Sequence, residues 1–144
     1  MDELLRARCK VSNLWPYQLE LAMEVNTGTD VFCVNATGTG KTVLLQAGAI
    51  AAQARGEKGI ALMIVPTKVL VEQQAAVASS RGLRALPINQ DTVRDAKLGG
   101  RDLFKELAEG NDVRMGVMTP HMLMQPEMRA LLRKPEFVKL VRWL

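Results

Sequence analysis

A short glycine-rich stretch, TGTGKT at residues 37–42, carries the residue types that bind phosphate groups. Gly38 and Gly40 let the backbone turn tightly, so that successive N–H groups can point at an anion. Lys41 can reach the β- and γ-phosphates of a nucleotide, and the Thr42 hydroxyl can ligate Mg²⁺. The residues predicted to hold the nucleotide are Thr37, Gly38, Thr39, Gly40, Lys41 and Thr42.

The segments on either side of this loop are those that a phosphate-binding loop requires. Residues 30–36, DVFCVNA, are rich in β-branched and aromatic residues and predict a buried strand. Residues 41–56 predict a helix that ends at Gly56. The N-terminus of such a helix favours a phosphate through its dipole and its unpaired N–H groups. Asn35 stands where the G-x-x-x-x-G-K-[ST] pattern has its first glycine, which narrows the choice among families.

The rest of the chain alternates short apolar runs with longer helical patterns. The runs that predict strands lie at 59–66, 83–89 and 112–120. The patterns that predict helices lie at 67–80, 101–110 and 120–134. A break in the last helix is expected near Pro126, because proline cannot continue the hydrogen-bond ladder. Strands that alternate with helices indicate an α/β fold, with a parallel sheet flanked by helices.

Length and composition place bounds on the protein. The 144 residues suit one domain, and 48% apolar with 24% charged residues is ordinary for a soluble globular protein. The net charge of +4 permits an anionic partner without requiring one. Cys9 and Cys33 lack CxxC spacing, which favours a reducing intracellular compartment over a disulfide framework or a zinc site. The most apolar stretch without a charge, Val43 to Ala54, is too short to span a bilayer, so we expect a soluble protein without a membrane partner.

Four motifs, in order along the chain, resemble those of superfamily-two helicases. TGTGKT resembles motif I, and LWPYQLELA at 14–22, which contains Gln18, resembles the glutamine motif that precedes it. IVPTKVLVEQQ at 64–74 resembles motif Ia, and VMTPHML at 117–123 resembles motif Ib. Within the superfamily the chain looks most like RecQ-like DNA helicases, whose phosphate-binding loops also lack the first glycine.

The resemblance implies a fold, cofactors and partners. It implies a RecA-like P-loop domain that uses ATP and Mg²⁺ and binds single-stranded DNA or an unwinding junction. It also implies movement with 3′–5′ polarity and a place in the nucleus, although no basic localisation run is visible in the sequence.

The resemblance also assigns roles to single residues. Gln18 would hydrogen-bond the adenine edge, and Lys41 and Thr42 would be the catalytic residues that hold the phosphates and Mg²⁺. Three residues would contact the phosphodiester backbone of the DNA strand: Thr67, Lys68 and Thr119. The structural alternatives are a glutamine on a helix surface, two threonine helix caps and a solvated lysine.

Two further features have a plain interpretation. The lone histidine, His121, has no cysteine or histidine at ligand spacing, so a residue at a helix start is favoured over a metal ligand or a general base. Gly99 and Gly100 resemble a glycine pair that some helicases place against nucleic acid, but a simple turn is favoured.

ATP hydrolysis in this superfamily also needs an Asp-Glu pair at the end of a buried strand, and none of the predicted strands ends in one. The chain closes on FVKLVRWL at 137–144, the kind of apolar run that leads into Asp-Glu-Ala-His in RecQ-like proteins. We therefore expect residues 1–144 to be the N-terminal portion of a helicase ATP-binding domain, incomplete at its C-terminus and ending before the Asp-Glu-Ala-His motif. The complete protein would add a second RecA-like lobe, and this chain alone is not expected to unwind DNA.

Other interpretations stay open. A DEAD-box-type RNA helicase fragment would carry the same motifs and would differ in its preference for RNA. A non-catalytic nucleotide-binding module would need a compact fold without an exposed apolar edge. A small P-loop kinase is disfavoured, because nothing in the sequence supplies an acceptor-site base or a lid.

Overall fold

The computed structural model describes residues 1–36, 38–110 and 112–144, which form two compact units. The first unit contains residues 1–58 together with Trp143, and the second contains residues 59–142 together with Leu144. Thr37, one of the residues predicted to hold the nucleotide, lies outside the described residues.

The described part of the first unit contains three helices, two of which pack on a third that is rich in alanine. Its helices are α1 (Asp2–Cys9), α2 (Pro16–Asn26) and α3 (Thr42–Ala54). Helices α1 and α2 both pack on α3, and Leu5 and Ala22 are fully buried there. Four alanines of α3 (Ala47, Ala49, Ala51 and Ala52) and Gly48 are buried, because small side chains let neighbouring backbones approach closely. The predicted helix over 41–56 is thus confirmed.

The strand predicted over residues 30–36 is wrong. This segment has no regular secondary structure, and the side chains of Phe32 and Val34 are 94% and 82% exposed. Strand propensity describes how well a residue fits a pleated, half-buried surface, so it takes effect only where a neighbouring strand offers a backbone ladder. Residues 30–36 form no such ladder, so the run forms no strand, and Phe32 and Val34 stay exposed.

The sheet contains four strands in the order β2-β3-β1-β4. They are β1 (Ile60–Ile64), β2 (Arg84–Ile88), β3 (Val113–Met118) and β4 (Val141–Trp143). Strands β1 and β2 both pair with β3 in parallel. Strand β3 is buried along nearly its whole length, as expected for a parallel strand covered on both faces. The predicted α/β fold is confirmed, and so are the strands predicted at 59–66, 83–89 and 112–120, which are β1, β2 and β3 of the second unit.

Six helices flank this sheet in the described part of the second unit. They are α4 (Lys68–Ser80), α5 (Gln90–Leu98), α6 (Leu103–Glu109), α7 (Pro120–Leu123), α8 (Pro126–Leu132) and α9 (Pro135–Leu140). The predicted break near Pro126 separates α7 from α8, and both helices have proline in their first turn. The apolar run 137–144 is divided between the end of α9 and strand β4.

One edge of the sheet gathers the starts of three helices. Ile64, Ile88 and Met118 are the last residues of β1, β2 and β3, and Met118 is in register with both isoleucines. Helices α4, α5 and α7 begin a few residues after these three strand ends. Since the strands are parallel, Thr67, Asn89 and Thr119 all follow the same edge, where open α/β sheets bind their ligands.

Candidate nucleotide loop and nucleic-acid surface

The glycine-rich loop has the backbone conformation that its sequence predicts. Gly38 and Gly40 have φ angles of 81° and 75°, in the left-handed region that only glycine adopts without strain. The loop leads into α3, with Lys41 as its N-cap residue and Thr42 as its first helical residue. The backbone conformation alone therefore explains why glycine occupies positions 38 and 40.

The Lys41 side chain folds back over the loop. Its Nζ donates hydrogen bonds to the carbonyl oxygens of Asn35 at 2.8 Å and Ala36 at 2.7 Å. The hydroxyl of Thr39 donates to the Ala36 carbonyl as well, at 2.8 Å. Bonds from an ammonium group to carbonyl oxygens are charge-assisted, so the cation stabilises the curved backbone around it.

Asn35, the residue that replaces the first glycine of the usual pattern, takes part in this arrangement. Its carbonyl accepts from Lys41, and its side-chain Oδ1 accepts from the backbone N–H of Ala36 at 2.8 Å. An asparagine that binds the backbone beside it supports a turn without glycine. The departure from the pattern thus has a structural role in this loop.

Gln18 supports the loop from helix α2. Its side chain is only 4% exposed, so the interpretation as a glutamine on a helix surface is wrong. Nε2 donates to the carbonyl oxygens of Thr39 at 3.2 Å and Gly40 at 3.0 Å, and Oε1 accepts from the Trp15 backbone N–H at 2.8 Å. The Tyr17 hydroxyl donates to the Thr39 carbonyl too.

The packing of Gln18 against the loop also restricts residue 40. A Cβ atom added at Gly40 would lie 2.6 Å from the Gln18 Nε2, which is closer than atoms in contact allow. A side chain at residue 40 would have to displace the Gln18 amide, and the positive φ favours glycine there in addition. Both N–H groups of the Gln18 amide are used, while its oxygen keeps a second lone pair that could accept from a ligand.

The two threonines at the sheet edge cap helices. Thr67 Oγ1 accepts from the Leu70 backbone N–H at 3.2 Å, and Thr119 Oγ1 accepts from the Met122 N–H at 3.4 Å. A hydroxyl that accepts in this way still has its own proton to donate. Capping a helix and donating to a phosphate oxygen are therefore compatible roles for both residues.

Lys68 is paired rather than simply solvated. Its Nζ lies 2.9 Å from Asp91 Oδ2, and both side chains are about half exposed, at 45% and 46%. The hydrogen bond from Lys68 lowers the pKa of Asp91, with a smaller contribution from the charge of Arg94. A phosphate that approached Lys68 would compete with this carboxylate.

Helix α5, which supplies Asp91, was not predicted from the sequence. Its start carries a recognisable signal, because Asn89 Oδ1 accepts from the N–H groups of Asp91 at 2.9 Å and Thr92 at 3.0 Å. The Thr92 hydroxyl in turn accepts from the Asn89 N–H at 2.9 Å. An N-cap asparagine that exchanges bonds with the third helical residue is a capping box, and N-Q-D-T could have been read as one.

His121 is the second residue of α7, as the favoured interpretation of a helix-start residue expects. Gly99 and Gly100 follow the end of α5, where Gly100 has a φ of 75° that suits the predicted turn. Within residues 1–36, 38–110 and 112–144, no three His, Cys, Asp or Glu side chains group closely enough to hold a metal ion. No helix in those ranges is both long and apolar enough to cross a membrane.

The glycine-rich loop before α3 belongs to the first unit, and the parallel sheet with helix starts along one edge belongs to the second. The family model of DEAD/DEAH box helicases matches residues 15–142, which is nearly the whole chain. The chain therefore belongs to the DEAD/DEAH box helicase family, and its α/β domain is a RecA-like domain of superfamily two. No individual curated protein matches the chain significantly.

Membership of this family gives the class of activity. Domains of this family have ATP-dependent, helicase-like activity on nucleic acids, and their usual cofactors are ATP and Mg²⁺. The expectation of a superfamily-two helicase domain is confirmed at that level.

Proposed function

We propose that this chain is the ATP- and nucleic-acid-binding portion of a RecQ-like DNA helicase that moves along single-stranded DNA with 3′–5′ polarity. The observation that supports nucleotide binding is the conformation of the loop, in which Lys41 Nζ lies 2.8 and 2.7 Å from two loop carbonyls before helix α3. The RecQ-like identity, the preference for DNA and the polarity rest on the resemblance of the motifs. In the complete enzyme this domain works with a second RecA-like lobe, and a nuclear location follows from the resemblance to RecQ.

The loop chemistry fits ATP with Mg²⁺. The positive φ angles of Gly38 and Gly40 let the backbone curve around an anion, and the N-terminus of α3 adds its dipole. With ATP and Mg²⁺ bound, Lys41 would exchange two carbonyl oxygens for phosphate oxygens, and the Thr42 hydroxyl would be a ligand of Mg²⁺. When bound, ATP supplies the phosphoanhydride bond whose hydrolysis drives movement. The residues assigned to the nucleotide are Gln18, Thr37, Gly38, Thr39, Gly40, Lys41 and Thr42.

In this proposal Gln18 has two tasks. Its amide nitrogen holds the loop through the carbonyls of Thr39 and Gly40, and its oxygen accepts from the adenine edge. The exposed ring of Trp15, 64% accessible, and the partly buried ring of Tyr17 are beside Gln18 in the sequence and available to pack near the base. The hydrogen bonds of Gln18 support the first task, and the lone pair left on Oε1 is compatible with the second.

The DNA backbone binds along the sheet edge where β1 and β3 end. Thr67 and Thr119 donate their hydroxyl protons to phosphate oxygens, and Lys68 pairs with a phosphate in place of Asp91. Hydroxyl groups and ammonium groups hold phosphates without reading the sequence, which suits a motor that must bind every sequence. The parallel register of Ile64 and Met118 supports a shared surface for these residues.

Binding of a fluorescent ATP analogue in the presence of Mg²⁺ tests the nucleotide site. We expect Lys41→Ala to abolish binding, because the loop loses the cation that neutralises the phosphates. Lys58→Ala is the matched control, since this lysine is exposed and belongs to the same unit. Equal affinity of the Lys41→Ala variant and the wild-type chain would contradict the assignment of the loop.

Binding of single strands of the same sequence as DNA and as RNA tests the nucleic-acid class. We expect tighter binding of DNA, and a weaker affinity for both strands in Lys68→Ala. Lys105→Ala is the control, because this exposed lysine lies on α6, which precedes the opposite end of β3. A clear preference for RNA would instead favour a DEAD-box-type RNA helicase. Nucleotide binding without any nucleic-acid binding would favour a nucleotide-binding module.

A further inference from the structure

A cavity of about 460 Å³ lies in the second unit, within the range of about 300–1,000 Å³ that small-molecule sites occupy. Its walls come from helices α5, α6, α7 and α8. Helix α5 begins after β2 and α7 begins after β3, and the last residues of these strands, Ile88 and Met118, are paired. The lining therefore includes Gln90 and His121, which follow the strand ends at the sheet edge beside Thr119.

Three polar side chains in the cavity form one hydrogen-bonded group. The Nε2 atom of His121 lies 2.8 Å from the amide nitrogen of Gln125 and 3.2 Å from that of Gln90. Both amide nitrogens are donors, so they share the single lone pair of His121 Nε2 in this arrangement. This arrangement orients both amides, each of which keeps an oxygen acceptor and a second N–H.

The rest of the lining combines apolar with charged side chains. Phe104 and Met122 are 4% and 3% exposed and form part of the lining, together with the exposed side chain of Leu98. Arg94 and Lys97 belong to the lining as well. Arg94 pairs with Asp95, and Lys97 pairs with Glu127. Both are surface ion pairs, which are weak, so either cation can leave its carboxylate for a phosphate.

The lining suits a nucleobase better than a phosphate. Glu127 is part of it, and a carboxylate repels an anion. Amides that offer a donor and an acceptor side by side match the hydrogen-bonding edge of a base, as glutamine and asparagine do when they read adenine. The apolar walls can cover the face of the base, and the guanidinium plane of Arg94 can stack on it.

We propose that this cavity binds one nucleobase of the DNA strand whose phosphates contact Thr119 and Lys68. Gln90 and Gln125 contact the edge of the base, and His121 holds both amides in place. Contacts to the base would add affinity for DNA to the surface of Thr119 and Lys68, which otherwise contacts only the DNA backbone. This inference rests on the nucleic-acid binding proposed above.

Titration of the full chain with an intact oligothymidine and with an abasic strand of equal length tests the inference. The two strands have the same phosphates, so the ratio of their affinities measures the contribution of the bases alone. We expect the wild-type chain to bind the intact strand about tenfold more tightly, as stacking and edge contacts to one base allow. The double variant Gln90→Ala/Gln125→Ala is expected to lose that ratio and to keep its affinity for the abasic strand.

Two control variants separate the roles of base and backbone. Gln73→Ala removes an exposed glutamine from α4, so it should keep the wild-type ratio. Lys68→Ala should weaken both strands equally and keep the ratio too, because it removes a phosphate contact. Gln90 is exposed and Gln125 makes no side-chain cap bond, so circular dichroism of the double variant should match the wild type.

Each outcome has a separate meaning. If the wild-type chain binds neither strand, the proposed nucleic-acid binding fails and the base site fails with it. If it binds both strands equally, nucleic-acid binding stands and the base site is refuted. If the double variant keeps the tenfold ratio, the base contact lies elsewhere. If the double variant loses affinity equally for the intact and the abasic strand, the glutamines contact the backbone. Either result overturns the inference.

Discussion

Replacing Gln18 with alanine tests whether a buried amide on α2 stabilises the glycine-rich loop. The substitution removes three hydrogen bonds, two to the carbonyls of Thr39 and Gly40 and one from the Trp15 N–H. Each such bond contributes about 0.5–1.5 kcal/mol to stability. The sum is an upper bound, because two of the three partners keep another hydrogen bond.

The expected loss of stability depends on which hydrogen bonds the former partners of Gln18 keep. The Thr39 carbonyl still accepts from Tyr17, and the Gly40 carbonyl still accepts from the Val43 N–H at 3.1 Å. Only the Trp15 N–H loses its partner, at the N-cap of α2. We therefore expect Gln18→Ala to lower the free energy of unfolding by about 1–3 kcal/mol. A typical domain has about 5–15 kcal/mol in total, so the loss is easily measured.

Denaturant titrations followed by circular dichroism and tryptophan fluorescence measure this loss. Glu20→Ala is the matched control, because Glu20 is exposed on the same helix and should change stability by less than about 0.5 kcal/mol. Tyr17→Phe removes a single hydrogen bond and should give a smaller loss than Gln18→Ala. If Gln18→Ala has wild-type stability but binds ATP less tightly, Gln18 acts on the nucleotide alone and the loop-support argument is refuted.

The remaining predictions concern the loop, the sheet edge and the ion pair between Arg101 and Glu106. Gly40→Ala should destabilise the chain by about 1–2 kcal/mol and weaken ATP binding, because φ is 75° and the new Cβ would lie 2.6 Å from a buried amide; wild-type values in both assays would contradict this. Asp91→Asn should tighten binding of single-stranded DNA at low salt by at most about fivefold, since Lys68 loses a competing carboxylate; weaker binding in an anisotropy titration would count against it. The hydrogen bond from Arg101 lowers the pKa of Glu106, so their pair stabilises the fold above the usual carboxyl pKa and is lost as the pH falls through the lowered value. Glu106→Gln should therefore lower the denaturation midpoint at neutral pH and show less further loss in acid, and an unchanged acid dependence would rule the pair out as its source.

Features that depend on neighbours along the chain could be predicted from the sequence. The glycines of TGTGKT require positive φ angles, and Gly38 and Gly40 have them. The buried strand at 112–120 and the break before Pro126 follow from apolar runs and from the missing N–H of proline. The start of helix α5 belongs to this class as well, because the capping box at Asn89 is a local signal.

Features that depend on distant partners were decided only by the tertiary structure. The run DVFCVNA has the residue types of a strand, yet it forms none, because a ladder needs a second backbone that composition does not specify. The burial of Gln18 and its bonds to Gly40, 22 residues away, were not visible in the sequence. The same is true of the pairing of Lys68 with Asp91, 23 residues away. The sequence by itself determined the loop, its helix and the alternation of strands and helices, because these follow from local backbone preferences. The tertiary structure alone decided which polar groups meet, because such contacts depend on how distant segments pack.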